Sequence, residues 1–188
     1  MTALKPASQR RRSLAARPAA PRVGILMGSD TDWEVMRAVA QRLDAFGVPY
    51  EVTVTSAHRT PEHTAAYASS ARARGLHVLI AGAGLAAHLA GTVAAHTTLP
   101  VIGVPLEAGS LHGLDALLAT VQMPPGVPVA TVAVGKAGAE NAAILAAEIL
   151  ALHDEALAAR LAAFKTELAR QVEEKDARLK RQQQPPEG

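Results

Sequence analysis

Val23-Gly24-Ile25-Leu26-Met27, followed by Gly28-Ser29-Asp30-Thr31-Asp32-Trp33, is a short apolar run that gives way to a small polar loop and then to an amphipathic stretch ending near Phe46. An apolar run without polar alternation reads as a strand covered on both faces, and small polar side chains ahead of a periodic segment read as a helix entry. The unit recurs along the chain. Tyr50-Glu51-Val52-Thr53-Val54, rich in β-branched residues, leads into Thr55-Ser56-Ala57-His58-Arg59-Thr60-Pro61, where Thr60 precedes a proline suited to a first helical turn. His77 to Ala81 leads into Gly82-Ala83-Gly84-Leu85-Ala86-Ala87-His88, and Pro100 to Val104 precedes Pro105 and another loop with glycine and serine. Val127 to Val134 precedes Gly135-Lys136-Ala137-Gly138 and a long helix of alanine and leucine. This alternation predicts an α/β fold: a three-layer αβα sandwich around a mainly parallel five-stranded sheet, flavodoxin-like or Rossmann-like, with a C-terminal helical extension.

Composition agrees with one such domain. The chain has 188 residues, 49% of them hydrophobic but only 3% aromatic, so the core must be aliphatic. The absence of cysteine excludes a disulfide framework and a thiolate site, and fits a cytoplasmic location. No apolar stretch approaches the roughly 20 residues that cross a bilayer, so no membrane partner is expected. Lys5, Arg10, Arg11, Arg12, Arg17 and Arg22 precede Val23 with no acid among them, and without these six charges the formal +2 becomes −4. This arm carries no aromatic residue to stack on a base and no clear apolar helical face, so nucleic-acid binding is not expected either.

The boundaries follow. Residues 1–21 read as a disordered basic leader, 22–154 as the α/β catalytic domain, 155–181 as a C-terminal helix for subunit packing, and 182–188 as a frayed tail. A helix break is expected near His153-Asp154. Beyond it, Leu157, Leu161, Phe164, Leu168 and Val172 recur at steps of three or four, an apolar stripe expected to cover a neighbouring subunit.

The chemistry lies in the loops. Ser56, His58 and Arg59 put a hydroxyl, an imidazole and a guanidinium within four positions at a strand-to-helix junction, where α/β sheets open to ligands. Imidazole is the side chain that ordinarily exchanges protons near cellular pH. Competing motifs are weaker. Gly82-Ala83-Gly84-Leu85-Ala86-Ala87 satisfies the dinucleotide pattern G-x-G-x-x-A, but it follows the third strand, and the nearest downstream acid, Glu107, lies in a loop. Ser56 and His58 lack a G-x-S-x-G elbow. His58 and His63 are five apart, and no other histidine pair has metal-ligand spacing with a nearby acid, so no metal is expected. His77, His96, His112 and His153 read as capping or surface residues.

Together, Gly28-Ser29-Asp30-Thr31-Asp32-Trp33, Ser56-Ala57-His58-Arg59-Thr60-Pro61, Gly82-Ala83-Gly84-Leu85-Ala86-Ala87-His88-Leu89 and Gln122-Met123-Pro124-Pro125-Gly126-Val127-Pro128-Val129 resemble, in order and spacing, the signatures of the class I PurE family. These are the N5-carboxyaminoimidazole ribonucleotide mutases of de novo purine biosynthesis, and the resemblance runs from about Val23 to His153. It implies an isomerase without cofactors that moves a carboxylate from the exocyclic nitrogen of an imidazole ribonucleotide to ring carbon 4, by decarboxylation and recarboxylation. It implies His58 as the acid/base group, Ser29, Ser56 and Arg59 at the 5′-phosphate, and Asp32 at the ribose. Gly82, Ala83, Gly84, Ala86, His88 and Leu89 match the loop over the base and the migrating CO2. A homo-octamer, functionally coupled to the synthetase that makes the carboxyamino nucleotide, is expected.

Three positions depart from the family pattern. Leu85 stands where glycine is usual, Ala90 replaces a proline, and Thr31 replaces a serine while keeping the hydroxyl. A direct carboxylase acting on free CO2, as in the class II relatives, and a catalytically silent nucleotide-binding module are the competing functions. Gln122-Met123-Pro124 favours the mutase, and an intact His58 disfavours the silent module.

Overall fold

The computed structural model describes residues 20–183. The basic leader falls almost wholly outside them, as does the tail from residue 184 onward. Five parallel strands, β1 (Val23–Met27), β2 (Tyr50–Val54), β3 (Val78–Gly84), β4 (Val101–Leu106) and β5 (Ala130–Thr131), form one sheet in the order β2-β1-β3-β4-β5. Helices α1 (Trp33–Ala45), α2 (Pro61–Ser70), α3 (Leu89–Ala95), α4 (Leu114–Val121), α5 (Lys136–Ala151) and α6 (Glu155–Gln183) complete the described residues, with a 3-10 turn at Asp30–Asp32 before α1.

Alternation along each central strand sorts the core into two layers. Val23, Ile25 and Met27 of β1, with Val78 and Ile80 of β3, face α1, α5 and the start of α6. Leu26, Leu79 and Ala81 face the opposite way, toward α2 and α3. Ile25, Leu79, Ile80 and Ile102 are wholly buried, and burial of each such side chain stabilises the fold by about 1.5–3 kcal/mol. The face of α5 toward the core is almost entirely alanine, Ala139, Ala142, Ala143, Ala146 and Ala147, so that helix lies close against α1 and the sheet. Aliphatic and small residues thus do the work that aromatic residues do elsewhere.

Two expectations are corrected by packing. The fifth strand does not run from Val127 to Val134 but pairs with β4 only at Ala130–Thr131. It is an edge strand, and Pro128 removes one backbone donor at its approach. The final helix continues through Gln182 and Gln183, residues expected to fray. Ion pairs of Lys180 with Asp176, four residues apart, and of Arg170 with both Glu167 and Glu174 support its exposed far half.

The break before that helix falls where expected, and Asp154 makes it. Its Oδ1 accepts from the Leu157 N–H at 3.0 Å, capping α6, while Oδ2 accepts from Arg22 Nη1 at 2.8 Å. Arg22 is therefore part of the folded domain. The apolar stripe divides: Leu157 and Leu161 are buried in the chain's own core and Phe164 packs edge-on against Phe46, whereas Leu168 and Val172 are exposed. Leu157→Ala is expected to lower the unfolding free energy by about 2–5 kcal/mol in urea titrations, the range for a buried leucine. A loss below about 0.5 kcal/mol, typical of surface sites, would show that α6 does not pack on its own domain.

Candidate active site

Parallel strands deliver their carboxyl ends to one edge, and β1 and β3 send their helices to opposite faces there. The gap between their loops is where ligands enter such sheets. A cleft of about 520 Å³ occupies it. The loop after β1 contributes Ser29 and Asp32, and the loop after β2 contributes Ser56, His58 and Arg59. From the β3 side come Ala83, Gly84, Ala86 and Leu89.

Local hydrogen bonding fixes each group. The Ser29 N–H donates to Asp32 Oδ2 at 3.0 Å while its hydroxyl oxygen accepts from the Thr31 N–H at 3.3 Å, a reciprocal cap on the turn that starts α1. The Ser56 hydroxyl oxygen accepts from the Arg59 N–H at 3.2 Å, and Arg59 Nη2 donates to the Gly28 carbonyl at 2.8 Å, tying the first two loops together. Beneath them, the Thr60 hydroxyl oxygen accepts from the Ser56 N–H at 2.9 Å, and the buried hydroxyls of Thr55 and Thr64 meet at 2.8 Å. The turn that carries His58 thus sits on a satisfied polar base.

His58 Nε2 lies 2.9 Å from His88 Nδ1, with the rings edge to face at 77°. One nitrogen must donate and the other accept. His58 therefore sits in a cleft with a second imidazole able to give or take the proton at its Nε2.

Electrostatics divide the cleft. Arg59, the hydroxyls of Ser29 and Ser56 and the N-terminus of α1 suit an anion at one end. Ala57, Ala83, Ala86 and Leu89 add apolar surface to its lining. Burial pushes the Asp32 carboxyl above its ordinary range, opposed by the Ser29 and Gly28 N–H groups and the Arg59 charge. Among the described residues, no group of three or more His, Cys, Asp or Glu side chains is placed to hold a metal ion.

Of the residues singled out in the sequence, Gly82 and His88 do not line the cleft. Gly82 is buried below it, and a Cβ there would collide with the Met36 thioether, so its glycine serves the packing of α1. His88 acts through its contact with His58. Gly28, Thr31, Ala57, Leu85 and Ala108 also line the cleft without having been assigned to it. The Gly28 role is carried by a carbonyl, which no side-chain pattern reports. His77, His96, His112 and His153 are all exposed, and His112 pairs with Glu107 at 3.3 Å.

The match to known proteins is as specific as this geometry. The family model described as AIR carboxylase matches residues 22–171. This chain belongs to the AIR carboxylase family. The N5-carboxyaminoimidazole ribonucleotide mutase of Bacillus subtilis is 60% identical over 141 residues, 75% of this chain and 87% of that one. The protein of the same name from Mycobacterium tuberculosis is 58% identical over 161 residues, 86% and 91% of the two chains. Treponema denticola PurE, a crystal structure, superposes with a TM-score of 0.77 at 32% identity, covering 85% of this AIR carboxylase family member and 99% of that chain.

Asp32 carries a pH signature. Its folded-state pKa is raised, so its contribution to stability is present below the ordinary carboxylate pKa of 3.8 and is lost as pH rises through the raised value. Asp32→Asn keeps an acceptor for the Ser29 N–H and removes the half-buried charge. The variant is expected to melt higher than wild type at pH 7, with the gain vanishing below about pH 4, near the ordinary carboxylate pKa. A scan of melting temperature against pH checks this, and an unchanged or lowered melting point at pH 7 would contradict it.

Proposed function

We propose that this chain is an N5-carboxyaminoimidazole ribonucleotide mutase, an isomerase of de novo purine biosynthesis that forms 4-carboxy-5-aminoimidazole ribonucleotide. The observation that carries the reading is the His58–His88 pair at 2.9 Å, beside an anion-binding end and an apolar wall in one cleft. Identities near 60% to proteins of that name support it, against 32% to the T. denticola structure.

The 5′-phosphate lies against Ser29, Ser56 and Arg59, and Asp32 accepts from the ribose hydroxyls. This directs the base toward His58. Protonated His58 delivers its proton to the exocyclic nitrogen as the bond from nitrogen to the carboxylate carbon breaks, releasing CO2. Ring carbon 4 then attacks that CO2, and neutral His58 removes the carbon 4 proton, restoring aromaticity and its own starting charge. One proton leaves and returns, so the cycle balances without metal or cofactor. His88 accepts or donates at the shared contact as His58 changes charge.

The enzyme works as a homo-octamer in the cytoplasm, fed by the synthetase that makes its carboxyamino substrate. Exposed Leu114, Leu118 and Val121 of α4, with exposed Leu111 in the turn before it, support assembly, because unpaired apolar faces are stabilised by burial at about 25 cal/mol per Å². Sedimentation equilibrium is expected to return an octamer mass; a monomer at micromolar concentration would overturn this part.

Turnover is expected with the carboxyamino nucleotide in bicarbonate-depleted buffer. Product only from aminoimidazole ribonucleotide with added bicarbonate would replace the mutase with a direct carboxylase. His58→Asn keeps volume and a polar amide but cannot shuttle a proton, so kcat should fall by at least about a thousandfold, near the upper reach of general acid/base catalysis. Nucleotide affinity, read by calorimetry, should change little. Arg59→Ala should instead raise KM, and near-normal turnover in His58→Asn would remove it from the mechanism.

A further inference from the structure

His63 stands in the first turn of α2, and its Nδ1 lies 3.1 Å from the Thr55 hydroxyl oxygen. Neither side chain lines the cleft. The contact belongs to a chain of hydroxyls whose direction follows from the donors available. Thr55 and Thr64 are 2% and 0% exposed, so their hydroxyls must find partners inside the protein. The Thr64 hydroxyl reaches the Thr60 carbonyl at 3.2 Å, the Thr60 hydroxyl reaches the Ser56 carbonyl at 3.2 Å, and the Thr55 and Thr64 oxygens are 2.8 Å apart.

A neutral imidazole nitrogen can enter this chain as donor or as acceptor, and the two cases differ by one hydrogen bond. With hydrogen on Nδ1, His63 donates to Thr55, Thr55 to Thr64, Thr64 to the Thr60 carbonyl and Thr60 to the Ser56 carbonyl, so every donor is used. With a bare Nδ1, the Thr55 hydroxyl must turn toward the ring. Thr64 then has to donate to Thr55, and the Thr60 carbonyl loses its hydroxyl partner. We infer that neutral His63 carries its hydrogen on Nδ1 and is a positioning residue for the reaction: its N–H orients the hydroxyl chain beneath residues 56–60. Thr60 then holds Ser56 from both sides, its oxygen accepting the Ser56 N–H at 2.9 Å while its hydrogen goes to the Ser56 carbonyl. Without His63, the Thr60 hydroxyl, 3.3 Å from Thr55, is the donor left to replace it, and it reaches Thr55 only by leaving the Ser56 carbonyl. Ser56, with Arg59, is assigned to the phosphate, so the loss falls on nucleotide binding. That consequence rests on the mutase reading; His63 itself touches no substrate.

The tautomer is read first, on the full-length protein without ligand. Long-range 1H–15N NMR, at a pH where the imidazole is neutral, is expected to show His63 with a pyrrole-like Nδ1 and a pyridine-like Nε2; the reverse pattern would overturn the inference. Kinetics then separate positioning from folding. His63→Leu keeps bulk but offers no donor, so it should raise KM for the carboxyamino nucleotide about threefold to tenfold, the effect of one hydrogen bond, with kcat changed less than about twofold. His63→Asn places an amide N–H where Nδ1 stood and should return KM to within about twofold of wild type. His63→Gln, one methylene longer, should not. The position is exposed on α2, so all three variants are expected to fold. Equal KM in wild type and His63→Leu, or equal impairment of the leucine and asparagine variants, would overturn the positioning role. Failure of the mutase reading shows separately, as wild-type protein without turnover, and the NMR pattern decides the tautomer in that case too.

Discussion

All strands of the sheet run in one direction, and that single constraint assembles the cleft. Residues from Gly28 to Ala108 reach it from four successive loops because each parallel strand ends at the same edge. Had β2 or β3 run antiparallel, its loop would have emerged at the far end and the His58–His88 contact would lack one partner. The parallel sheet in turn requires both faces to be covered. Helices α1, α5 and the start of α6 cover one face and α2, α3 and α4 the other, so core packing on both sides and the geometry of the cleft are one problem.

The site concentrates arrangements that packing alone would not select. Asp32 carries a half-buried carboxylate pushed toward its neutral form, His58 and His88 share a hydrogen bond, and Leu85 holds a left-handed backbone. Around them lie groups that are fully satisfied: the Ser29 cap, the Arg59 bridge to the Gly28 carbonyl, and the Thr55, Thr60 and Thr64 hydroxyls. Rigid support under strained or titrating groups is what a reaction made of proton transfers needs, since a displacement of about 1 Å can cost two orders of magnitude in rate.

Periodicity revealed the fold because it is a local property. The runs at Val23–Met27 and Tyr50–Val54 are strands at the expected bounds, and the break at Asp154 is visible as a capping side chain. The fifth strand is shorter than its apolar run because pairing from Val127 to Val134 also needs a partner and backbone donors, and Pro128 at a sheet edge has neither. The stripe on α6 was legible as a stripe but not in its division, because only the three-dimensional length of the domain decides that Leu161 meets α5 and Val172 passes beyond it. At the site, side-chain chemistry marked Ser29, Asp32, Ser56, His58 and Arg59. The Gly28 carbonyl and the meeting of His58 with His88, thirty positions apart, depend on backbone direction and tertiary approach, to which residue identity is silent.

The most direct test of this mechanism is a crystal structure of the protein with the aminoimidazole ribonucleotide bound. The phosphate is expected on Ser29, Ser56 and Arg59, the ribose on Asp32, and a ring nitrogen of His58 within about 3.2 Å of the exocyclic nitrogen, hydrogen-bond reach for a general acid, with ring carbon 4 facing the same imidazole. A ring bound with both reacting atoms far from His58, or a phosphate seated away from Arg59, would contradict it.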